Sequence, residues 1–197
     1  ITNIKNNIIV EIGPGEGVLT DFIIERKPKK LILIEKDNEL CFKLKKKYIN
    51  NNNVIIYNCD ANIFDYNFLK KSILISNLPY NVSTKLLMKL IKLNKNFKEL
   101  IVMIQKEVAM KFNYKLNKLN KYKFLVYIFT EYKICFDVSS NVFKPKPKVK
   151  SSVVKFNLLK RKYNSNKLDN FIKKIFSNKR KIISNKIKLV NSKFKNY

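Results

Sequence analysis

Residues able to do chemistry gather in four short stretches of this 197-residue chain. The first is VEIGPGEGVL, residues 10–19, which holds all 3 glycines of the sequence, Gly13, Gly15 and Gly17, around Pro14 and Glu16. Gly13 permits a tight turn, Gly15 lets a ligand approach the backbone, and Gly17 sits where a helix starts near a sheet. The spacing is G-x-G-x-G, not the dinucleotide G-x-G-x-x-G, because position 18 is Val. An acid directly before the glycines, Glu11, is more typical of S-adenosylmethionine sites. A tight strand-to-helix turn with no ligand would use the same glycines. The second stretch ends at Glu35, where an acid is the expected acceptor for ribose hydroxyls; a solvated strand-end carboxylate would look alike. The third is Asp60–Ala61, whose carboxylate could accept from an adenine amino group or simply cap a helix. The fourth is SNLPYNVST, residues 76–84, with Asn77, Leu78, Pro79 and Tyr80 in sequence.

These stretches need a scaffold that brings them together. Apolar, β-prone runs at 7–12, 30–35, 53–58, 72–77 and 99–104 predict buried strands. Between them, 17–26, 38–48 and 82–93 carry apolar residues at helical spacing. Alternating β and α predicts an α/β fold with a parallel sheet covered on both faces, and ligands of such sheets bind beyond the carboxyl ends of the strands. Residues 127–138 and 151–159 read as two later strands, an antiparallel edge pair joined by a Lys/Pro loop. Residues 113–123 read as a low-complexity loop. The tail from 163 to 197 is polar, basic and helix-compatible. Within it, 167–176 places Leu168, Phe171, Ile172, Ile175 and Phe176 on one face, as a docked helix would.

Composition narrows the chemistry. No histidine is present, which excludes Ser-His and Cys-His nucleophiles and most zinc sites. Catalysis must run on carboxylates, amides, Lys, Tyr or backbone groups, and no metal is expected. The three cysteines, Cys41, Cys59 and Cys135, are widely spaced and read as buried small hydrophobes. No apolar run approaches a membrane span, and no signal peptide precedes the first strand; a cytoplasmic (or organelle-matrix) monomer is expected. The formal net charge of +28 suits a polyanionic partner such as nucleic acid. Drift in a very A/T-rich genome would also enrich Lys, Asn and Ile.

Asn77–Tyr80 is the sharpest signal. It resembles the Asn/Asp-Pro-Pro-Tyr/Phe motif of methyltransferases that act on exocyclic amines. An adenine 6-amino lone pair is delocalised into the ring, so the amine is a poor nucleophile. The Asn77 side-chain oxygen and a neighbouring carbonyl, that of Leu78, could each accept one amino proton and favour a pyramidal nitrogen. Pro79 donates no N–H and fixes φ. Tyr80 offers a face for an extruded base. In the Lys/Pro loop, Phe143 could stack opposite Tyr80 while Lys144, Lys146 and Lys148 meet phosphates; a rigid solvated loop is the plainer alternative.

Taken together, EIGPGEGVLT, Glu35, DA at 60–61, NLPYNVST, QKEVA at 105–109 and VFKPKPKVKSSVV at 142–154 make the chain resemble the small-subunit ribosomal RNA adenine dimethyltransferases, the KsgA-type enzymes. The resemblance runs from about residue 7 to 159, and more weakly to FSNKRKIISNKI at 176–187. It implies a Rossmann-like class I methyltransferase domain over 1–159, a mostly parallel sheet with an antiparallel edge, and a shortened basic helical region over 160–197. The implied activity is dimethylation, from S-adenosylmethionine, of the 6-amino groups of two adjacent adenosines near the 3′ end of small-subunit ribosomal RNA, within ribosome biogenesis. The implied partner is the pre-ribosomal small subunit. Cofactor contacts are implied at Glu11, Gly13, Pro14, Gly15, Glu35, Asp60, Ala61 and Asn77, and the target-base pocket at Asn77–Tyr80 and Phe143. The family's N-terminal Gln-Asn-Phe-Leu segment has no counterpart here, and Lys150 stands where the family usually has Asp. Two alternatives remain: an RNA- or DNA-binding assembly or transcription factor on the same fold, and an adenine methyltransferase of large-subunit ribosomal RNA or of DNA.

Overall fold

The computed structural model describes residues 2–78, 83–113, 120–142, 149–160 and 165–176. Seven strands form one sheet in the order β3-β2-β1-β4-β5-β7-β6. They are β1 Ile8–Ile12, β2 Lys30–Glu35, β3 Val54–Asn58, β4 Ser72–Asn77, β5 Phe97–Gln105, β6 Thr130–Val138 and β7 Ser151–Leu158. The first five are parallel; β7 inserts antiparallel between β5 and β6, so the expected edge pair is present with β6 outermost. The chain winds outward from β1 to β3 and then returns to place β4 on the other side of β1. That reversal opens a crevice at the carboxyl ends of β1 and β4, where open α/β sheets take their ligands.

Strand alternation divides the core into two layers. Ile9, Leu31 and Leu33 face one layer with Ile23 of helix α1 (Val18–Ile24) and Leu44 of α2 (Asn38–Lys47). Val10, Ile12, Ile32 and Ile34 face the other, with Leu86, Leu87 and Leu90 of α3 (Ser83–Leu90) and Phe112 of α4 (Lys106–Phe112). Helix α5 (Lys121–Phe129) adds Leu125, Val126 and Phe129 to that layer, and α6 (Ser165–Phe176) adds Ile172. The expected apolar face at 167–176 docks on α5, where Phe124 meets both Phe171 and Phe176. Among the described residues no helix is long and apolar enough to cross a membrane.

Three expectations are corrected. Lys121–Lys123, read as the end of a loop, form the first turn of α5. The stretch 127–138 is not one strand: α5 runs to Phe129 and β6 starts at Thr130 with no intervening loop. Asn120 caps α5 by accepting from the Lys123 N–H at 2.9 Å, and the Thr130 hydroxyl donates to the Val126 carbonyl at 2.8 Å to close it. Burial of Leu125, Val126 and Phe129 on one side overrides the strand preference of Tyr127, Ile128 and Phe129. The cysteines also differ from a uniformly buried set. Cys41 is buried, whereas Cys59 and Cys135 are partly exposed; Cys135 falls at the register shift between Ile134 and Phe136 on the edge strand.

Candidate active site

The glycine loop leaves β1 with Gly13, whose N–H donates to the Ile34 carbonyl at 2.9 Å and keeps the loop on the sheet. Pro14 is buried, and its carbonyl accepts from the Gly17 N–H at 3.0 Å, closing a tight turn. Gly15 and Gly17 both have left-handed φ, +59° and +83°. They serve different ends. A Cβ on Gly15 would meet no heavy atom within 4 Å, so that side of the loop is open to a ligand. A Cβ on Gly17 would collide with the Tyr48 hydroxyl, which packs there from the end of α2.

Glu35 ends β2 beneath this loop and is nearly buried. Its Oε2 accepts from the Gly15 N–H at 3.3 Å and its Oε1 from the Asp37 N–H at 2.9 Å. Beyond β3, Asp60 turns the chain: Oδ1 accepts from the Asn62 N–H (2.8 Å) and the Asn62 side-chain amide (2.9 Å), while Oδ2 pairs with Lys36 Nζ at 3.0 Å. The Asn62 backbone N–H, then Lys36 and the Asn62 amide, hold the Asp60 carboxyl down at about 2. The sequence left this residue between ligand and helix cap; no helix follows it before β4, and its carboxylate closes the turn at 61–63 instead.

A cavity of about 230 Å³ lies between these pieces, lined by Gly13, Glu35, Lys36, Asp60, Ala61 and Asn62 over apolar Ile12, Ile34 and Leu86, with Cys59 at its side. Four sequence-predicted residues, Gly13, Glu35, Asp60 and Ala61, thus share one wall. Gly15 adjoins it through Glu35. A slot with an apolar floor, two carboxylates in its lining and an open glycine backbone beside it can hold a nucleoside.

Glu11 is placed differently. It is 1% exposed and is not in the cavity lining. Its carboxylate accepts from the Thr20 hydroxyl at 2.7 Å, tying β1 to α1 behind the loop. Burial drives its pKa up to about 7, helped by the charges of Asp21 and Glu35 and opposed by the Thr20 hydrogen bond.

Across the crevice, Asn77 is the exposed last residue of β4, paired in register with Met103. The neighbouring Ser76 is buried, and its hydroxyl donates to the Ile12 carbonyl at 2.5 Å. This bond ties the end of β4 to the strand end from which the glycine loop departs. Leu78 is buried in the core, and its N–H donates to the Met103 carbonyl at 3.3 Å. Pro79 and Tyr80, and in the Lys/Pro loop Phe143, Lys144, Lys146 and Lys148, lie outside the described residues. Next to β4, the QKEVA segment starts α4. Its Val108 and Ala109 are buried, and Lys106 pairs with Asp137 of β6 while its N–H donates to the Lys150 carbonyl at 2.9 Å.

The family model described as ribosomal RNA adenine dimethylase matches residues 1–197. The chain belongs to the ribosomal RNA adenine dimethylase family. Among its relatives, ribosomal RNA small subunit methyltransferase A of Malacoplasma penetrans is 39% identical over 180 residues, covering 87% of this chain and 64% of that protein. The protein of the same name from Clostridium botulinum (strain Kyoto) is 40% identical over 161 residues, 79% of this chain and 58% of its own. The chain therefore spans about two thirds or less of the length of these two relatives. A solved dimethyladenosine transferase from Plasmodium falciparum superposes with a TM-score of 0.80 at 31% identity, covering 94% of this chain and 69% of that one. The 23S rRNA methyltransferase ErmE superposes at 0.77 with 18% identity, over 93% of this chain and 76% of its own, a likeness of fold. In this dimethylase fold the residues that sequence alone did not single out are Thr20, Lys36, Tyr48, Asn62 and Ser76. Each acts through a partner distant in sequence or through its own turn, and nothing in their spacing marks them.

Proposed function

We propose that this chain dimethylates the 6-amino groups of two adjacent adenosines in the 3′-terminal hairpin loop of small-subunit ribosomal RNA, with S-adenosylmethionine as donor. The observation that carries this reading is the Ser76–Ile12 hydrogen bond, which sets Asn77 beside the glycine loop at the crevice between β4 and β1. The names of the relatives support the RNA and the subunit.

The cavity residues fit the cofactor. Glu35 would receive the ribose hydroxyls, Asp60 the adenine amino group, and Ile12, Ile34, Ala61 and Leu86 the faces of the base; the open side of Gly15 would admit the amino-acid end. When bound, S-adenosylmethionine supplies an electrophilic methyl group on a positively charged sulfur. Asn77 and the Leu78 carbonyl then act on the target amine: each accepts one amino hydrogen, which weakens conjugation with the ring and turns the nitrogen lone pair outward. The lone pair so turned would suit the methyl group the cofactor would supply, and the amine's excess proton would pass to water. No general base is required, in keeping with a chain without histidine. Pro79, Tyr80 and Phe143 complete the base pocket in this reading, and Lys144, Lys146 and Lys148 meet the RNA backbone. Lys85, Lys89, Lys92 and Lys121 line a second cavity, about 730 Å³ between α3, α5 and α6, which shares no lining residue with the nucleoside slot. It offers a basic flank to RNA.

The test is transfer of labelled methyl to small-subunit RNA from cells lacking this modification, with the product located by mass spectrometry. Dimethyladenosine at two adjacent 3′-terminal positions is expected, and Asn77→Ala should reduce transfer about a hundredfold even at saturating cofactor. Full activity in that variant would remove Asn77 from the mechanism.

A further inference from the structure

Tyr48 lies 31 residues beyond Gly17 in the chain, at the C-terminal cap of α2, and is 5% exposed. Its hydroxyl stands 2.7 Å from Asp21 Oδ1 and 3.0 Å from the Gly17 carbonyl oxygen, so one proton is shared between two acceptors. The preceding residue, Lys47, reaches the same loop: Nζ is 2.7 Å from Asp21 Oδ2 and 3.2 Å from the Glu16 carbonyl. Lys47, the last residue of α2, and Tyr48, its C-cap, thus grip the second half of the glycine loop. The Tyr48 ring and hydroxyl occupy the space a Gly17 side chain would need. Burial, reinforced by the hydrogen bond to Asp21, pushes the phenol up to about 12, so it remains a neutral donor through the physiological range.

Neither acceptor relies on the Tyr48 hydroxyl as its sole partner. The Gly17 carbonyl already accepts from the Asp21 N–H at 3.0 Å, and Asp21 already has Lys47. What the extra bond fixes is the orientation of Gly17, and Gly17 is joined through Pro14 to the turn that aims the Gly15 N–H at Glu35. We propose that Tyr48 is a positioning residue for the cofactor: its hydroxyl locks Gly17 in the left-handed conformation that presents Gly15 and Glu35 to the ligand. This inference rests on the reading of the cavity as the S-adenosylmethionine site.

The experiment compares wild type, Tyr48→Phe and Glu35→Ala by calorimetry with S-adenosylmethionine, by KM and kcat for methyl transfer, and by melting temperature. Removing one hydroxyl from a shared, buried hydrogen bond should raise the Kd and KM for the cofactor about fivefold. The kcat at saturation should stay close to wild type, and the melting temperature should fall by no more than the about 2–4 °C that one lost hydrogen bond costs a chain of this size, because the ring and its packing remain. Unchanged Kd and KM, with or without a fall in melting temperature, would overturn the proposal. If Glu35→Ala weakens binding and Tyr48→Phe does not, only the role of Tyr48 falls. If the wild type binds no cofactor, or Glu35→Ala binds as well as wild type, the assignment of the cavity falls and the role of Tyr48 with it.

Discussion

At the scale of single residues, the glycine loop answers more than one demand. By spacing, Gly15 is the glycine that admits a ligand and Gly17 the one at the helix start near the sheet. The structure distinguishes Gly15, with open space beside it, from Gly17, which faces Tyr48. Gly15→Val should therefore lower cofactor affinity by more than tenfold and cost the fold about 1–2 kcal/mol, the strain of a Cβ at positive φ. Gly17→Ala bears that strain and a collision with a buried aromatic hydroxyl, so its main effect should be on stability, read as a larger drop in melting temperature. Thermal melts beside calorimetry decide the matter: equal melting temperatures in the two variants would contradict the assignment. Gly13, Glu35, Asp60 and Ala61 were legible because parallel strands deliver their carboxyl ends to one edge. Tyr48 was not, because its contact depends on how α2 packs on α1.

Among elements, the junction of β1 and α1 holds the most unusual group. Glu11 is carried into the core by the strand and meets Thr20 of the helix. Its pKa in the folded protein, about 7, lies above the ordinary 4.5, so the fold binds this proton more tightly than the unfolded chain does. The contribution is complete below pH 4.5 and is lost as pH climbs through 7, on the order of 3 kcal/mol across the window. The melting temperature of the wild type should thus fall between pH 5 and pH 8 by an amount that Glu11→Gln, which keeps an acceptor for Thr20, abolishes. Identical pH profiles for the two proteins would refute the assignment. A sequence cannot reveal this because an acid before the glycines reads as a ligand whether it faces the cavity or the core. The α5–β6 boundary escaped for a related reason: Tyr127, Ile128 and Phe129 are β-formers, and the cap at Asn120 together with burial of Leu125 and Val126 settles the helix.

For the whole molecule, the excess of positive charge acquires a geometry. A charge of +28 is compatible with RNA binding and equally with compositional drift, and the sequence offers no way to choose. The fold places Lys85 on α3, which begins just past the Asn77–Tyr80 motif, and Lys121 at the start of α5, so that both line the basic cavity between α3, α5 and α6. Lysines spread by drift would weaken RNA binding only slightly when any two are removed. Lysines seated against phosphates would each lower the slope of log K against log salt by about 0.7–0.9. Filter binding of small-subunit RNA across a series of KCl concentrations separates these cases. The wild type should lose affinity steeply with salt, and Lys85→Gln with Lys121→Gln should flatten the slope by about 1.5 in all. The affinity for S-adenosylmethionine, held in a slot lined by Gly13, Glu35 and Asp60, should be unaffected by the same pair. An unaltered salt slope would assign the charge of this face to composition, and the RNA path would then have to follow Lys144, Lys146 and Lys148.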